Sequence, residues 1–191
     1  MISIVSDIIV LICLLALFTA IIINFFEAKK EVSKEKKSVV ETGSMTGYFI
    51  LVYILVRLKV GHFDFPETVT YVLNPVGLLM IIAGCLVNIK GRLALGANWA
   101  NQVTIYQEQT LVRSGVYRYV RHPLYASLIW MFYGASLVYA NYLVFLSTTF
   151  IFVPFMYYRA KQEEKLLEER FNHYAGYKRS TGMLFPKIFR R

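Results

Sequence analysis

The chain sets long apolar runs between short polar ones, and several of the apolar runs have membrane length. A helix crosses the hydrocarbon core in about 20 mostly apolar residues. Ile4–Phe26 fits this, with Asp7 its only charge. A second run, 47–60, is shorter and closes on Arg57 and Lys59, whose stems can carry their charges to the interface. A third, 69–89, contains Pro75 and Gly77, which membrane helices tolerate where neighbours re-satisfy the backbone. The run 124–158 is too long for one crossing. Tyr139-Ala140-Asn141-Tyr142 near its middle predicts a turn, hence two spans, with Pro154 kinking the second. The pattern predicts an all-α, multi-pass transmembrane protein of about five spans with a helical hairpin near the C-terminus.

The polar segments organise the rest. Residues 28–37 form a lysine-rich loop, and 90–122 is a polar stretch with glycines at 91, 96 and 115. The tail segment 161–174, KQEEKLLEERFNHY, is expected to continue the last span as a helix, with Leu166, Leu167 and Phe171 on one face. A single membrane domain is expected, with two N-terminal spans in 1–68 and a core in 69–191. No internal repeat is present, which argues against an inverted-repeat transporter.

Composition agrees: 57% of residues are hydrophobic, 17% are charged, and mean hydropathy is +0.48. Soluble domains hold about 45–50% apolar and about 25% charged residues, and disordered chains fewer apolar still. Cys13 and Cys85 both lie in apolar runs and read as small buried hydrophobes, not as a disulfide framework. The net charge of +9 would suggest nucleic acid in a soluble protein, but no nucleic-acid motif is present. Its distribution points to membrane orientation instead. Lysine and arginine gather in 28–37, 90–122 and the tail, while 57–68 holds only Arg57 and Lys59 and 139–142 holds none. The positive-inside rule places the N-terminus outside and the C-terminus in the cytoplasm, as an odd number of spans requires. Basic residues follow the first span rather than precede it, so an uncleaved anchor is expected. A compact, lysine-rich chain of this kind suggests a prokaryotic plasma membrane.

The hairpin has a further consequence. Segments 98–125 and 157–186 leave the membrane on the same side, so a site they share forms a pocket at the cytoplasmic boundary. They read GVYRYVRHPLY and, after the hairpin, RxxxEExxL followed by FxxYxxY and a proline. Together these motifs resemble the isoprenylcysteine carboxyl methyltransferase family, which is grouped with the phospholipid methyltransferases. The likeness covers about residues 70–186, and the upstream LGANW fits the bacterial members.

The resemblance implies an integral membrane enzyme using S-adenosylmethionine. It implies cofactor contacts at Gln109, Thr110, Leu111, Val112, Tyr117, Arg121, His122, Pro123, Leu124, Tyr125, Glu163 and Glu164, and a substrate-binding catalytic arginine at Arg159. Three positions depart from the usual pattern: Gln109 stands where many members carry His, Ser127 where Gly is common, and FNHYAGY is one residue short. Physical chemistry is compatible with these roles. No GxGxxG follows a strand, so loops and helix ends must hold the cofactor. Glu163 and Glu164 can pair with an ammonium or ribose hydroxyls. Tyr117, Tyr119 and Tyr125 offer ring faces to adenine or the sulfonium, and backbone N–H groups around 109–112 can bind a carboxylate. Arg159 stands one helical turn before Glu163.

The expected reaction is methyl transfer to a lipophilic substrate entering laterally from the bilayer, foremost a carboxylate of isoprenylcysteine type. Alternatives are a phospholipid amine or small thiol acceptor, a nicotinamide-dependent reductase of the sterol reductase type, and a non-enzymatic transporter or assembly factor. No metal is expected, since neither HExxH nor clustered His/Cys ligands occur. Arg113 and Arg118 read as positive-inside anchors, Glu168 and Glu169 as a solvated helix face, His62 and His173 as surface residues, and Trp130 and Tyr133 as packing or lipid-facing.

Overall fold

The computed structural model describes residues 2–27, 32–36, 39–98, 103–106 and 110–187. Most of them are helical. Helix α1 spans Ile2–Glu27, α2 Val39–Arg57, α3 Glu67–Leu95 and α4 Pro123–Val138. Helix α5 (Tyr142–Ser147) runs through a π-helical turn (Thr148–Phe152) into α6 (Val153–Arg170), and the short α7 (Tyr174–Ser180) follows. Strands β1 (Val32–Lys36) and β2 (Val103–Tyr106) pair antiparallel, the one departure from helix that the apolar pattern does not announce. Three helical segments are long and apolar enough to cross a membrane: Ile4–Phe26, Glu67–Asn98 and Tyr142–Arg170. Met45–Arg57 and Pro123–Val138 are shorter apolar helices.

The expected elements are present with shifted ends. Helix α3 continues past 89 to Leu95, so Lys90 and Arg92 lie on a helix and not in a loop. It stops at Gly96, whose φ of 48° favours a residue without Cβ. The last long helix ends at Arg170, short of Tyr174, because Phe171 is extended. The hairpin turn falls at Tyr139–Ala140, and the Asn141 side chain accepts from Val144 N at 3.0 Å to cap α5. Pro154 lacks the N–H a continuous α-helix would use, and the turn before it is widened to π geometry.

Helix α4 is the centre of the molecule. One face packs in a cluster with Tyr48 and Val52 of α2 and Phe152, Met156 and Ala160 of the last span. The other contributes Met131 to a cluster with Cys13 and Leu17 of α1 and Ile81 and Cys85 of α3. A helix apolar all round suits a position buried on both sides. Both cysteines are buried, and Cys85 Sγ donates to Cys13 O at 3.5 Å.

Helices α3 and α4 run antiparallel at very close range. A Cβ on Gly77 would stand 2.6 Å from Gly134 O, one on Gly134 2.6 Å from Gly77 O, and one on Gly84 2.5 Å from Met131 Cγ. Small residues allow such approach, and in lipid van der Waals packing and buried polar contacts replace the hydrophobic effect as the cohesive terms. The polar contacts sit along the same helices. Ser6 Oγ donates to Asn74 Oδ1 at 3.0 Å, Asn88 Nδ2 to Ser127 Oγ at 2.8 Å, and Asn24 Nδ2 to Arg92 O at 3.3 Å.

These contacts also order the ends of the bundle. Asp7, Leu55 and the 139–141 turn meet at one end, through Tyr139 OH to Asp7 at 3.0 Å and Asn141 Nδ2 to Leu55 O at 3.4 Å. Asn24, Met45, Arg92, the start of α4 and the C-terminal half of α6 meet at the other.

This packing predicts that Gly134→Ala lowers stability by about 1–3 kcal/mol, because a backbone oxygen cannot swing away. Gly176→Ala, where nothing lies within 4 Å of a new Cβ, should be neutral or stabilising. Thermal unfolding of the two variants in detergent checks this, and equal melting temperatures would contradict it.

Candidate functional site

Backbone geometry at the start of α4 brings the two motifs together. Pro123 occupies the first turn, where its missing N–H leaves no bond unmade. Before it, a 3-10 turn over Gly115–Arg118 opens at Gly115, φ 60°. The following residues pair with the tail: Val120 bridges Gly182 in parallel, Arg121 N donates to Gly182 O at 2.9 Å, and His122 N donates to Met183 O at 3.1 Å. A Cβ on Gly182 would collide with the Phe185 carbonyl, so the tail reverses there only with glycine. The tail thus closes over the junction of α4 and α6.

Inside that junction sits a charged constellation with little water around it. Arg121 Nε donates to Glu164 Oε1 at 2.6 Å, with side chains 6% and 2% exposed. Its Nη1 donates to Lys178 O at 3.1 Å and to Thr181 O. His122 lies between the two carboxylates, Nδ1 3.3 Å from Glu163 Oε2 and Nε2 3.4 Å from Glu164 Oε1. Tyr125 OH donates to Glu163 Oε1 and receives Arg159 Nε at 2.9 Å. Arg159 Nε is itself 3.7 Å from Glu163 Oε1. The His122 and Tyr125 rings stack with an interplanar angle of 4°.

Burial pushes the His122 imidazole down, but the adjacent carboxylates of Glu163 and Glu164 outweigh it and hold the pKa above its ordinary value. Burial raises the Tyr117 and Tyr174 phenols, so both stay protonated and can only donate or accept as neutral groups. Lys178 is raised by Glu168, its 2.5 Å partner, and further by Glu164.

The structure gathers most of the expected residues here. Arg121, His122, Pro123, Tyr125 and Glu164 are buried, while Glu163 keeps a quarter of its side chain exposed. Tyr117 is buried nearby, its carbonyl accepting from Tyr177 OH at 2.6 Å. Leu111, Val112 and Leu124 are half-buried, and Leu124 packs against Gly91. Thr110 is exposed and fixed by Asn98, which accepts from its backbone N at 3.0 Å and donates to its hydroxyl at 3.2 Å. Gln109 lies outside the described residues. Tyr119 is exposed, so among the candidate tyrosines it is the one turned from the buried cluster.

Four residues that sequence reasoning passed over also belong to the neighbourhood. Arg92 is buried on α3, with Nε donating to Asn88 Oδ1 at 2.8 Å. An arginine one turn after an asparagine at the end of an apolar run is the signal that could have marked it. Tyr174 stands in the FxxYxxY motif without a role of its own, while Lys178 and Met45 carry no such signal, and only the tail closure and the approach of α2 bring them in.

Around the two motifs, the buried atoms His122 Nε2, Glu164 Oε2 and Tyr174 Oη have no hydrogen-bond partner among the described residues. The ionic approaches of 3.4 Å to the first two lack hydrogen-bond alignment. Buried groups of this kind ordinarily find partners, so this donor–acceptor set suits the hydroxyls and ammonium of a polar ligand or ordered water. Among the described residues no group of three or more His, Cys, Asp or Glu side chains is placed to hold a metal ion.

Comparison with known proteins converges on these elements. Residues 76–169 match the isoprenylcysteine carboxyl methyltransferase family. The chain is 29% identical over 146 residues to the protein-S-isoprenylcysteine O-methyltransferase of Saccharomyces cerevisiae, covering 71% of this chain and 61% of the yeast protein. It is also 29% identical over 110 residues to a protein of Oryza sativa subsp. indica named "Probable protein-S-isoprenylcysteine O-methyltransferase", covering 56% of this chain and 58% of that one. The chain thus spans about three fifths of the length of these curated relatives.

Two outcomes follow from the geometry. Removing the cation of a buried pair strands the carboxylate, so Arg121→Met should cost about 3–5 kcal/mol, and Arg121→Met with Glu164→Leu should recover much of it. Denaturation of both variants in detergent reads this, and equal losses in the single and double variants would refute the pairing. The second outcome concerns pH. The His122 pKa is raised in the folded protein, so its contribution is complete below the unfolded value of about 6.5 and fades as pH rises through the folded value. Melting temperature should therefore fall over that upper window in the wild type, with a flatter profile in His122→Gln.

Proposed function

Because residues 76–169 match the isoprenylcysteine carboxyl methyltransferase family, we propose that the chain is an S-adenosylmethionine-dependent methyltransferase acting on a lipophilic carboxylate of S-isoprenylcysteine type. The observation that carries the reading is the buried His122–Tyr125–Arg159–Glu163 network, which joins both motifs at one end of the bundle. The names of the yeast and rice relatives support the choice of acceptor. We further propose five crossings, with α2 and α4 as spans beside the three longer segments. The N-terminus would then lie outside and the site at the cytoplasmic face, in keeping with the distribution of lysine and arginine.

When bound, S-adenosylmethionine supplies an electrophilic methyl carbon on a sulfonium centre. Glu163 is the partly open carboxylate and is assigned to a cationic or hydroxyl group of that cofactor. Glu164, locked by Arg121, holds the segment and His122 in place. Tyr117, His122, Pro123, Leu124 and Tyr125 would wall the cofactor, and backbone N–H groups of 110–112, with Gln109, would bind its carboxylate. Arg159 is assigned to the acceptor carboxylate, the planar match a guanidinium makes best. That carboxylate is ionised at neutral pH, so no base is required. The residues contribute alignment and exclusion of water, and alignment alone can supply about 7–11 kcal/mol.

Calorimetry with the purified chain tests the cofactor site. S-adenosylmethionine should bind the wild type and bind at least about tenfold more weakly to Glu163→Ala and His122→Ala. Arg159→Gln should retain cofactor binding but lose methylation of an isoprenylcysteine acceptor. Folded wild type that binds NADPH and not S-adenosylmethionine would overturn the assignment.

A further inference from the structure

The same end of the bundle carries a second concavity. It encloses about 370 Å³ and is lined by Arg113, Arg118, Gly176, Tyr177, Ser180 and Thr181. His122, Glu163 and Glu164 do not line it. Its charged lining residues are both arginines, both exposed, and among the described residues neither forms an ion pair. Among the described residues, two carboxylates of α6 are already engaged: Glu164 by Arg121 and Lys178, and Glu168 by Lys178. Arg113 lies over the Tyr177 ring at 5.7 Å, a cation–π contact that leaves a guanidinium's in-plane N–H donors available for an anion. The hydroxyls of Ser180 and Thr181 both donate to Tyr177 O, leaving their lone pairs to accept. Such a cleft suits an anion that also carries a donor. A sulfonium or ammonium would be repelled by two guanidiniums.

Two exposed aromatics indicate where the anion comes from. Tyr119 directly follows Arg118 and is 57% exposed, and Phe185 on the tail is 59% exposed. Exposed aromatic and arginine side chains at one end of a membrane bundle are the pattern of headgroup-level anchoring. We propose that the Arg113–Arg118 cleft binds the phosphodiester headgroup of an anionic phospholipid in the adjoining leaflet. This rests on the reading of a membrane-spanning chain with this end at the anionic face, and not on methyl transfer.

The test uses the full chain in detergent, titrated with short-chain phosphatidylglycerol, phosphatidylcholine or inorganic phosphate and followed by native mass spectrometry and thermal shift. Phosphatidylglycerol should bind in preference to phosphatidylcholine. Arg113→Gln with Arg118→Gln should weaken it about thirtyfold, from two headgroup contacts. Gly176→Glu is the second probe: nothing lies within 4 Å of a new Cβ there, so a carboxylate enters the cleft mouth without removing a native contact. It should abolish lipid selectivity at an unchanged melting temperature.

Equal binding of the two lipids, or full phosphatidylglycerol binding by both variants, would overturn the proposal. Inorganic phosphate binding as tightly as the lipid would also overturn it, in favour of a free-anion site. So would loss of S-adenosylmethionine binding in folded Gly176→Glu, which would make the cleft part of the cofactor pocket. Wild type that binds no S-adenosylmethionine yet selects phosphatidylglycerol supports the cleft and removes only the methyltransferase reading.

Discussion

A carboxylate 2% exposed at the end of a helical bundle has to be answered by cations, and Glu164 is answered from three directions. Arg121 reaches it from the entry to α4, His122 from the adjacent position, and Lys178 from α7. Losing any one partner leaves charge in a poorly solvated place, where the penalty is several kcal/mol per ion. The constraint spreads outward through Arg121, which also takes the carbonyls of Lys178 and Thr181. One guanidinium therefore fixes α6, the end of α7 and the returning tail relative to each other. The backbone pairing of Arg121 and His122 with Gly182 and Met183 follows from the same closure.

That closure is useful only if α4 is rigid, and its rigidity comes from the glycine face. Gly77 and Gly134 meet backbone to backbone, and Gly91 admits Leu124 in the first turn of α4. Contact at this range leaves no slack for α4 to slide along α3, since interiors at close packing transmit displacement instead of absorbing it. Asn88 adds direction, bonding both Leu124 O and Ser127 Oγ across the interface. The first turn of α4, which carries Pro123 and Tyr125, is thus held from the α3 side by packing and from the α6 side by charge.

What the sequence makes legible divides along physical lines. Apolar runs of membrane length announce the helices, and Asn141 announces the hairpin turn because a capping side chain leaves a chemical signature. RHPLY and the Arg159–Glu163 turn are readable as motifs, and the hairpin between them makes their meeting derivable. Helix ends were less legible. Lys90 and Arg92 look like loop residues, yet the helix runs on to Leu95 with Arg92 buried and bonded to Asn88. The tail closure was not legible at all. It rests on main-chain bonds from Arg121 and His122, and main-chain groups are the same in every residue. The β1–β2 ladder is missed for a related reason, since four- and five-residue strands fall below any reliable alternation signal.

The adjacent glutamates show how one dipeptide serves two ends. Glu164 faces inward and is committed to structure. Glu163, a quarter exposed, shares its carboxylate with the Tyr125 hydroxyl and stands 3.3 Å from His122 Nδ1. Through Tyr125 it is also linked to Arg159, so a carboxylate suited to a cationic ligand and a guanidinium suited to an anionic one are joined by a single phenol. Each balances the other within the protein, which keeps a two-sign site tolerable in a poorly solvated place where a lone charge would be costly. It also sets the two proposed subsites side by side, the arrangement a transfer between a cationic donor and an anionic acceptor requires.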